Sequence, residues 1–182
     1  MQIHIFTTGG TIDKIYFDAK SAFEVGDPQV IEVLREANVT VEYQVTPLMR
    51  VDSLDMTAAD RALIHAAIAG DPCPHIVVTH GTDTMAVTAQ ALQDIPDKTI
   101  VFTGAMQPAK FRMTDAVFNI ASAITAAQTL PPGVYIAMNG QVFQAGKVRK
   151  NVAENRFEGI GDWGLGIGDW AESQNSSLIP NP

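Results

Sequence analysis

The sequence predicts an α/β protein, an open and mostly parallel sheet with helices on both faces. Two observations carry this. Short apolar runs rich in β-branched residues recur along the chain, each bounded by Gly, Pro or Asp. Between them lie stretches whose apolar residues return at helical spacing and which open on capping residues. Strands that alternate with helices pair as parallel neighbours, and their crossovers cover both faces of the sheet.

The first run, QIHIF at 2–6, reads as a buried strand. DPQVIEVLREAN at 27–38 reads as a helix with Asp27 as cap and Pro28 in its first turn. VEYQV at 41–45 is the second strand, and MTAADRALIHAAIAG at 56–70 is a helix capped by Thr57 and stopped at Gly70. HIVVTH at 75–80 is the third strand, followed by a helix over 83–95. TIVFTG at 99–104 and GVYIAMN at 133–139 are strands that flank a helix over 114–128, in which Ile120, Ala123, Ile124 and Ala127 recur at helical spacing. QVFQAGKVRK at 141–150 reads as a small hairpin turning through Ala145-Gly146. The pattern is that of a Rossmann/flavodoxin-like fold. GIGDW at 159–163 returns at 166–170. That repeat is too short for a solenoid, and 159–182 reads as a packing arm or a lightly structured tail without a domain of its own.

A chain of 182 residues fits one domain with a sizeable core. A formal charge of -8 disfavours a nucleic-acid partner, which needs clustered Lys and Arg. The single cysteine, Cys73, offers neither a disulfide framework nor a metal cluster, and His4, His65, His75 and His80 lack ligand spacing. No signal-peptide pattern opens the chain and no apolar run of about 18 residues occurs, so the expectation is a cytoplasmic protein without membrane contact.

In a parallel α/β sheet, ligands bind beyond the carboxyl ends of the strands. The residues there are TTGGTID (7–13), then TPLMRVDSLDM with Ser53 and Asp55, then HGTDTM (80–85), then GAMQPAKFRMTD. No Gly-x-Gly-x-x-Gly or Walker-type loop is present, so nucleotide sites are disfavoured. What remains is hydroxyl chemistry. A threonine becomes a nucleophile when a base takes its proton, and a Gly-Gly turn can aim backbone N–H groups at a developing oxyanion.

TTGGTI, DSLDM, HGTDTM, GAMQP and the late lysine of KVRKN resemble the bacterial-type L-asparaginase family over roughly residues 1–158. The resemblance implies a catalytic domain of the amino-terminal type at 1–158, in a short-chain form without the family's usual second domain. It implies an asparagine amidohydrolase that forms L-aspartate and ammonia through a threonyl acyl-enzyme, with water as second substrate and no cofactor. Thr11 matches the attacking threonine, and Thr82, Asp83 and Lys150 match the second threonine with its aspartate and lysine. The binding set under this resemblance is Gly10, Ser53, Asp55, Gly81, Thr82 and Asp83, with Asp83 on the α-ammonium and Ser53 on the α-carboxylate. Two departures stand out. Leu54 replaces the glutamine that usually follows the serine, and the usual loop tyrosine falls near Phe23, leaving Tyr16 as its candidate substitute. The rival readings are a sensor that binds asparagine or aspartate without turnover, and an amidotransferase component that releases ammonia for a partner enzyme. A homo-oligomer, at least a dimer, is expected, with Trp163 and Trp170 as candidate contacts.

Overall fold

The computed structural model describes residues 1–17 and 22–161, with backbone alone at 16, 17, 22 and 23. In chain order the elements are β1 (Gln2–Thr7), a 3-10 turn (Thr11–Asp13), β2 (Lys14–Phe17), β3 (Ala22–Val25), α1 (Val30–Glu36), β4 (Glu42–Pro47), α2 (Ala58–Gly70), β5 (His75–Thr79) and α3 (Met85–Gln90). They continue with β6 (Thr99–Thr103), α4 (Ala116–Thr129), β7 (Gly133–Met138), β8 (Gln141–Gln144), β9 (Val148–Asn151) and β10 (Arg156–Gly159).

Alternation along the strands builds two cores, because successive side chains point to opposite faces. Ile3, Ile5, Val77, Val101, Tyr135 and Ala137 face one side, where α1 contributes Val30, Val33 and Leu34 and α4 contributes Ile120, Ala123 and Ala127. Phe6, Ile76, Val78, Ile100, Phe102 and Ile136 face the other, against Ile64 and Ile68 of α2 and Met85 and Ala89 of α3. Each of the large side chains among these contributes roughly 1.5–3 kcal/mol on burial. The six strands lie in the order β4-β1-β5-β6-β7-β8. All neighbours pair in parallel except β7 with β8. The chain leaves β1 for β4 on one side, while β5 lies on the other. The carboxyl ends of β1 and β5 therefore flank the topological switch point, where ligand crevices form.

The α/β class and the sheet with helices on both faces are as read from the sequence. Several local expectations differ. The first helix begins at Val30, not at Asp27. The Asp27 carboxylate pairs with Arg50 at 2.5 Å, and the buried Asp13 carboxylate accepts the Gln29 N–H at 2.8 Å. That helix ends two residues before left-handed Asn38 (φ 50°). Thr57 caps α2 as expected, in a capping box with Asp60. The third helix stops at Gln90 and the chain goes on in tighter turns, with Leu92 N–H to Ala89 O and Ile95 N–H to Leu92 O. The hairpin expected within 141–150 does not form. Asn139 and Gly140, both left-handed (φ 54° and 76°), are the pair that turns β7 into antiparallel β8. Past Ala145-Gly146 the chain leaves the sheet, and β9 pairs with β10 instead. A second ribbon, β2 with β3, was not read from the sequence.

Residues 162–182, with the whole second GIGDW copy, Trp163 and Trp170, lie outside the described residues. Among the described residues no helix is long and apolar enough to cross a membrane, and no group of three His, Cys, Asp or Glu is placed to hold a metal.

Candidate active site

The two glycines after β1 answer to close backbone packing. Thr8 is stitched to β5 twice, through its N–H and its hydroxyl, each 3.0 Å from Thr79 O. Its carbonyl accepts the Val51 N–H at 3.1 Å. Gly10 then passes at φ 91°, and a Cβ there would overlap Gly81 Cα and stand 2.5 Å from Gly81 N. Gly81 in turn faces Ser53, since a Cβ on it would lie 2.5 Å from Ser53 Oγ and 2.6 Å from Ser53 Cβ. Three loops thus meet through two glycines and a serine. Thr11 and Thr82 are the next residues after those glycines, so the contact sets both threonines beside one junction.

On the β5 side, Thr82 is 3% exposed. Lys150 Nζ donates to Thr82 Oγ1 at 2.8 Å and to Asp83 Oδ1 at 2.8 Å. Lys150 arrives from β9, outside the main sheet, with its side chain 14% exposed against 35% for Asp83. The Asp83 carboxylate is engaged by this lysine and does not cap α3, whose N-cap is Thr84 without a side-chain bond. Thr84 Oγ1 instead donates to Ser53 O at 2.7 Å, tying the serine loop to the Thr82 loop. Ser53 Oγ is fully buried and has no hydrogen-bond partner among the described residues.

His80 lies under this junction as a structural residue. Its Nδ1–H donates to Gly81 O at 2.7 Å and its Nε2 faces Met56 Sδ at 3.2 Å. Burial pushes its pKa down to about 4 against the Gly81 bond that favours the cation, with Arg61 nearby adding to the fall. Asp13 is buried at the end of the Thr11–Asp13 turn. Burial raises its pKa to about 6 despite the Gln29 amide and the charge of Arg50.

Among the predicted residues, Thr82, Asp83, Lys150, Gly10, Gly81 and Ser53 are brought together, with Thr11 adjoining. Asp55 is not part of the cluster: it is exposed, and its N–H donates to Asp52 O. Leu54 is 72% exposed. Tyr16 pairs through its backbone with Phe23 across the β2–β3 ribbon, and its side chain falls outside the described residues. The Asp115 carboxylate at the start of α4 accepts the N–H groups of Met106 and Gln107 at 3.0 Å.

Two residues near the site were missed by sequence reasoning. Lys14 Nζ pairs with Asp52 Oδ2 at 2.7 Å, each about a quarter exposed (28% and 27%). Burial pushes the Asp52 carboxyl up, but the Lys14 bond, the Leu54 amide and the charge of Lys150 together hold it below the usual range. Asp52 therefore lies within the field of Lys150. Their signal was adjacency: Lys14 follows TTGGTID and Asp52 precedes Ser53. A cavity of about 560 Å³ lies at the opposite end of the strands, near His4, Asp71, Cys73 and His75, and holds none of these residues.

The chain is similar to known proteins in sequence and in fold. The family model described as "Asparaginase, N-terminal" matches residues 2–161. An L-asparaginase of Thermococcus kodakarensis is 32% identical over 170 residues, 88% of this chain and 51% of that protein. The solved structure of the thermostable L-asparaginase from that organism superposes with a TM-score of 0.76 at 28% identity, covering 87% of this chain and 51% of that one. A probable cytoplasmic L-asparaginase from Campylobacter jejuni superposes with a TM-score of 0.75 at 26% identity, over 90% of this chain and 54% of that one. A component of the glutamyl-tRNA(Gln) amidotransferase of Thermoplasma acidophilum is 30% identical over 148 residues, 76% of this chain and 35% of that protein. The chain spans about half the length of these asparaginases and about a third of the amidotransferase component. It belongs to the asparaginase family, over that family's amino-terminal domain.

Proposed function

We propose that this chain is an L-asparagine amidohydrolase that works through a threonyl acyl-enzyme, giving L-aspartate and ammonia. The observation that carries the reading is the pair of 2.8 Å bonds from Lys150 Nζ to Thr82 Oγ1 and Asp83 Oδ1, beside the Gly10–Gly81 contact. Thr11 Oγ attacks the side-chain amide carbon, the carbon–nitrogen bond breaks, and ammonia leaves with the hydroxyl proton. Water then cleaves the ester to release aspartate and restore Thr11. Once Lys150 gives up a proton, its lone pair can accept the Thr82 hydroxyl hydrogen, and Asp83 holds the cation so formed. Asp83 also suits the substrate α-ammonium, and the unpartnered Ser53 hydroxyl suits its α-carboxylate. Metal and cofactor play no part in this scheme. Tyr16 is proposed as the loop hydroxyl near the nucleophile.

The chemistry is tested by ammonia release from purified protein supplied with asparagine. Thr11→Val and Lys150→Met are expected to lose several orders of magnitude in turnover with the fold retained, since groups that act as a unit fail together. Full turnover in Thr11→Val would remove Thr11 from the nucleophile's place, and binding of asparagine without ammonia release would favour a sensor. The similarity to the amidotransferase component supports a second reading, in which the ammonia is passed to a partner. Ammonia release that depends on such a partner would favour it. A cytoplasmic location accords with the Campylobacter jejuni neighbour described as probably cytoplasmic. A homo-oligomer, at least a dimer, is proposed for the active form, and light scattering at assay concentration tests it: an active monomer refutes it.

A further inference from the structure

Lys150 stands on a ribbon that is not part of the main sheet, so something must set its distance from Thr82. A chain of amide side chains runs from the sheet to that ribbon. Asn119 of α4, 1% exposed, donates from Nδ2 to Gly104 O at 3.0 Å and to the Asp115 carboxylate at 2.8 Å. Its Oδ1 accepts the Asn139 N–H at 3.3 Å, and Asn139 Oδ1 accepts the Phe157 N–H at 2.9 Å. Phe157 is the residue paired with Lys150 across β9 and β10, and its own side chain is buried in the core. Gly104, the other end of the chain, packs against the carbonyl of His80, where a Cβ would overlap His80 O. One buried amide thus refers both halves of the site to a common frame: the Thr82 loop through Gly104, and the Lys150 ribbon through Asn139.

We propose that Asn139 is a positioning residue, whose side-chain carbonyl fixes the Phe157 amide and so holds Lys150 within hydrogen-bonding distance of Thr82. The kinetic part of this inference rests on the proposed role of Lys150 in amide hydrolysis. Asn139 has a second and separable duty, because its left-handed conformation (φ 54°) makes the turn from β7 to β8. Asn139→Gly keeps that turn, since Gly-Gly is an accepted pair in such hairpins, and removes only the acceptor. Asn139→Asp keeps both the turn and an acceptor oxygen.

The test compares wild type, Asn139→Gly and Asn139→Asp by steady-state kinetics on asparagine and by crystal structures. A displacement of about an ångström in a reacting group costs up to about a hundredfold in rate. Asn139→Gly is therefore expected to lower kcat roughly 10- to 100-fold with KM little changed, and Asn139→Asp to restore most of it. In the Asn139→Gly crystal, Lys150 Nζ is expected beyond hydrogen-bonding distance of Thr82 Oγ1. A Lys150–Thr82 bond that survives in Asn139→Gly overturns the proposal, whatever the rate. If wild type hydrolyses no amide yet Asn139→Gly still displaces Lys150, the functional reading falls and the positioning role stands.

Discussion

A buried hydroxyl without a partner weakens the fold that contains it, by about 1–3 kcal/mol in typical cases. Among the described residues Ser53 Oγ is such a group, lodged against Gly81 with its backbone carbonyl already taken by Thr84. Removing it separates stability from binding. Ser53→Ala is expected to melt at or above the wild-type temperature while its KM for asparagine rises, if the hydroxyl meets the α-carboxylate as proposed. Scanning fluorimetry and a saturation curve check the two halves. A lower melting temperature with an unchanged KM would mean that the hydroxyl serves the fold alone.

The capping box on α2 gives the element scale its own test. Thr57 accepts the Asp60 N–H and the Asp60 carboxylate accepts the Thr57 N–H in return, on a helix that contributes no residue to the candidate site. Thr57→Ala is expected to cost about 1 kcal/mol, hence a melting temperature lower by roughly 2–4 °C, with turnover at 25 °C unaltered. That cap was legible because a capping box is local, written within four consecutive residues. The strands of the main sheet were legible for a similar reason: burial on both faces forces continuous apolar runs such as HIVV and TIVF. The hairpin within 141–150 misled because two candidate turns lie close together. Asn139-Gly140 is the stronger I′ signal, and it claimed QVFQ for the sheet before Ala145-Gly146 could fold the strand on β9. Thr82 and Asp83 were legible in HGTDTM and Lys150 in KVRKN through the family resemblance, while the geometry that carries Lys150 to them depends on β9 pairing with β10 and on the Asn139–Phe157 bond. Those are contacts between distant residues that no short pattern encodes. The Lys14–Asp52 ion pair escaped for the same reason, each half being an ordinary charged residue until the loops meet.

For the molecule as a whole, two buried ionisable groups pull the stability profile in opposite directions. His80 has a folded pKa of about 4, below its ordinary 6.5, so the unfolded chain binds the extra proton and stability falls as pH drops from about 6.5 to about 4. Asp13 has a folded pKa of about 6, above its ordinary 3.8, so the native state holds the extra proton and stability falls as pH rises from about 3.8 to about 6. Each effect amounts to about 3 kcal/mol when complete, and they largely cancel between about pH 4 and 6. Asp13→Asn keeps an oxygen for the Gln29 amide and removes the second effect. It is expected to be more stable than wild type at pH 7, by up to about 3 kcal/mol, and equal to it below about pH 4. Urea titrations across that range decide it; a constant difference at every pH would show that Asp13 does not titrate on folding. The Gly10–Gly81 contact has a kinetic meaning of its own. It joins the loops that follow β1 and β5, far apart in sequence, and loop-closure entropy must be overcome before such a distant contact forms. A contact made after the rate-limiting barrier governs escape from the native state and leaves the speed of reaching it alone. Gly81→Ala, which forces a methyl group onto Ser53, is expected to refold at the wild-type rate and unfold faster in stopped-flow urea jumps. The glycine that brings the two loops together would then determine how long a finished molecule lasts, and have no bearing on how many molecules are made.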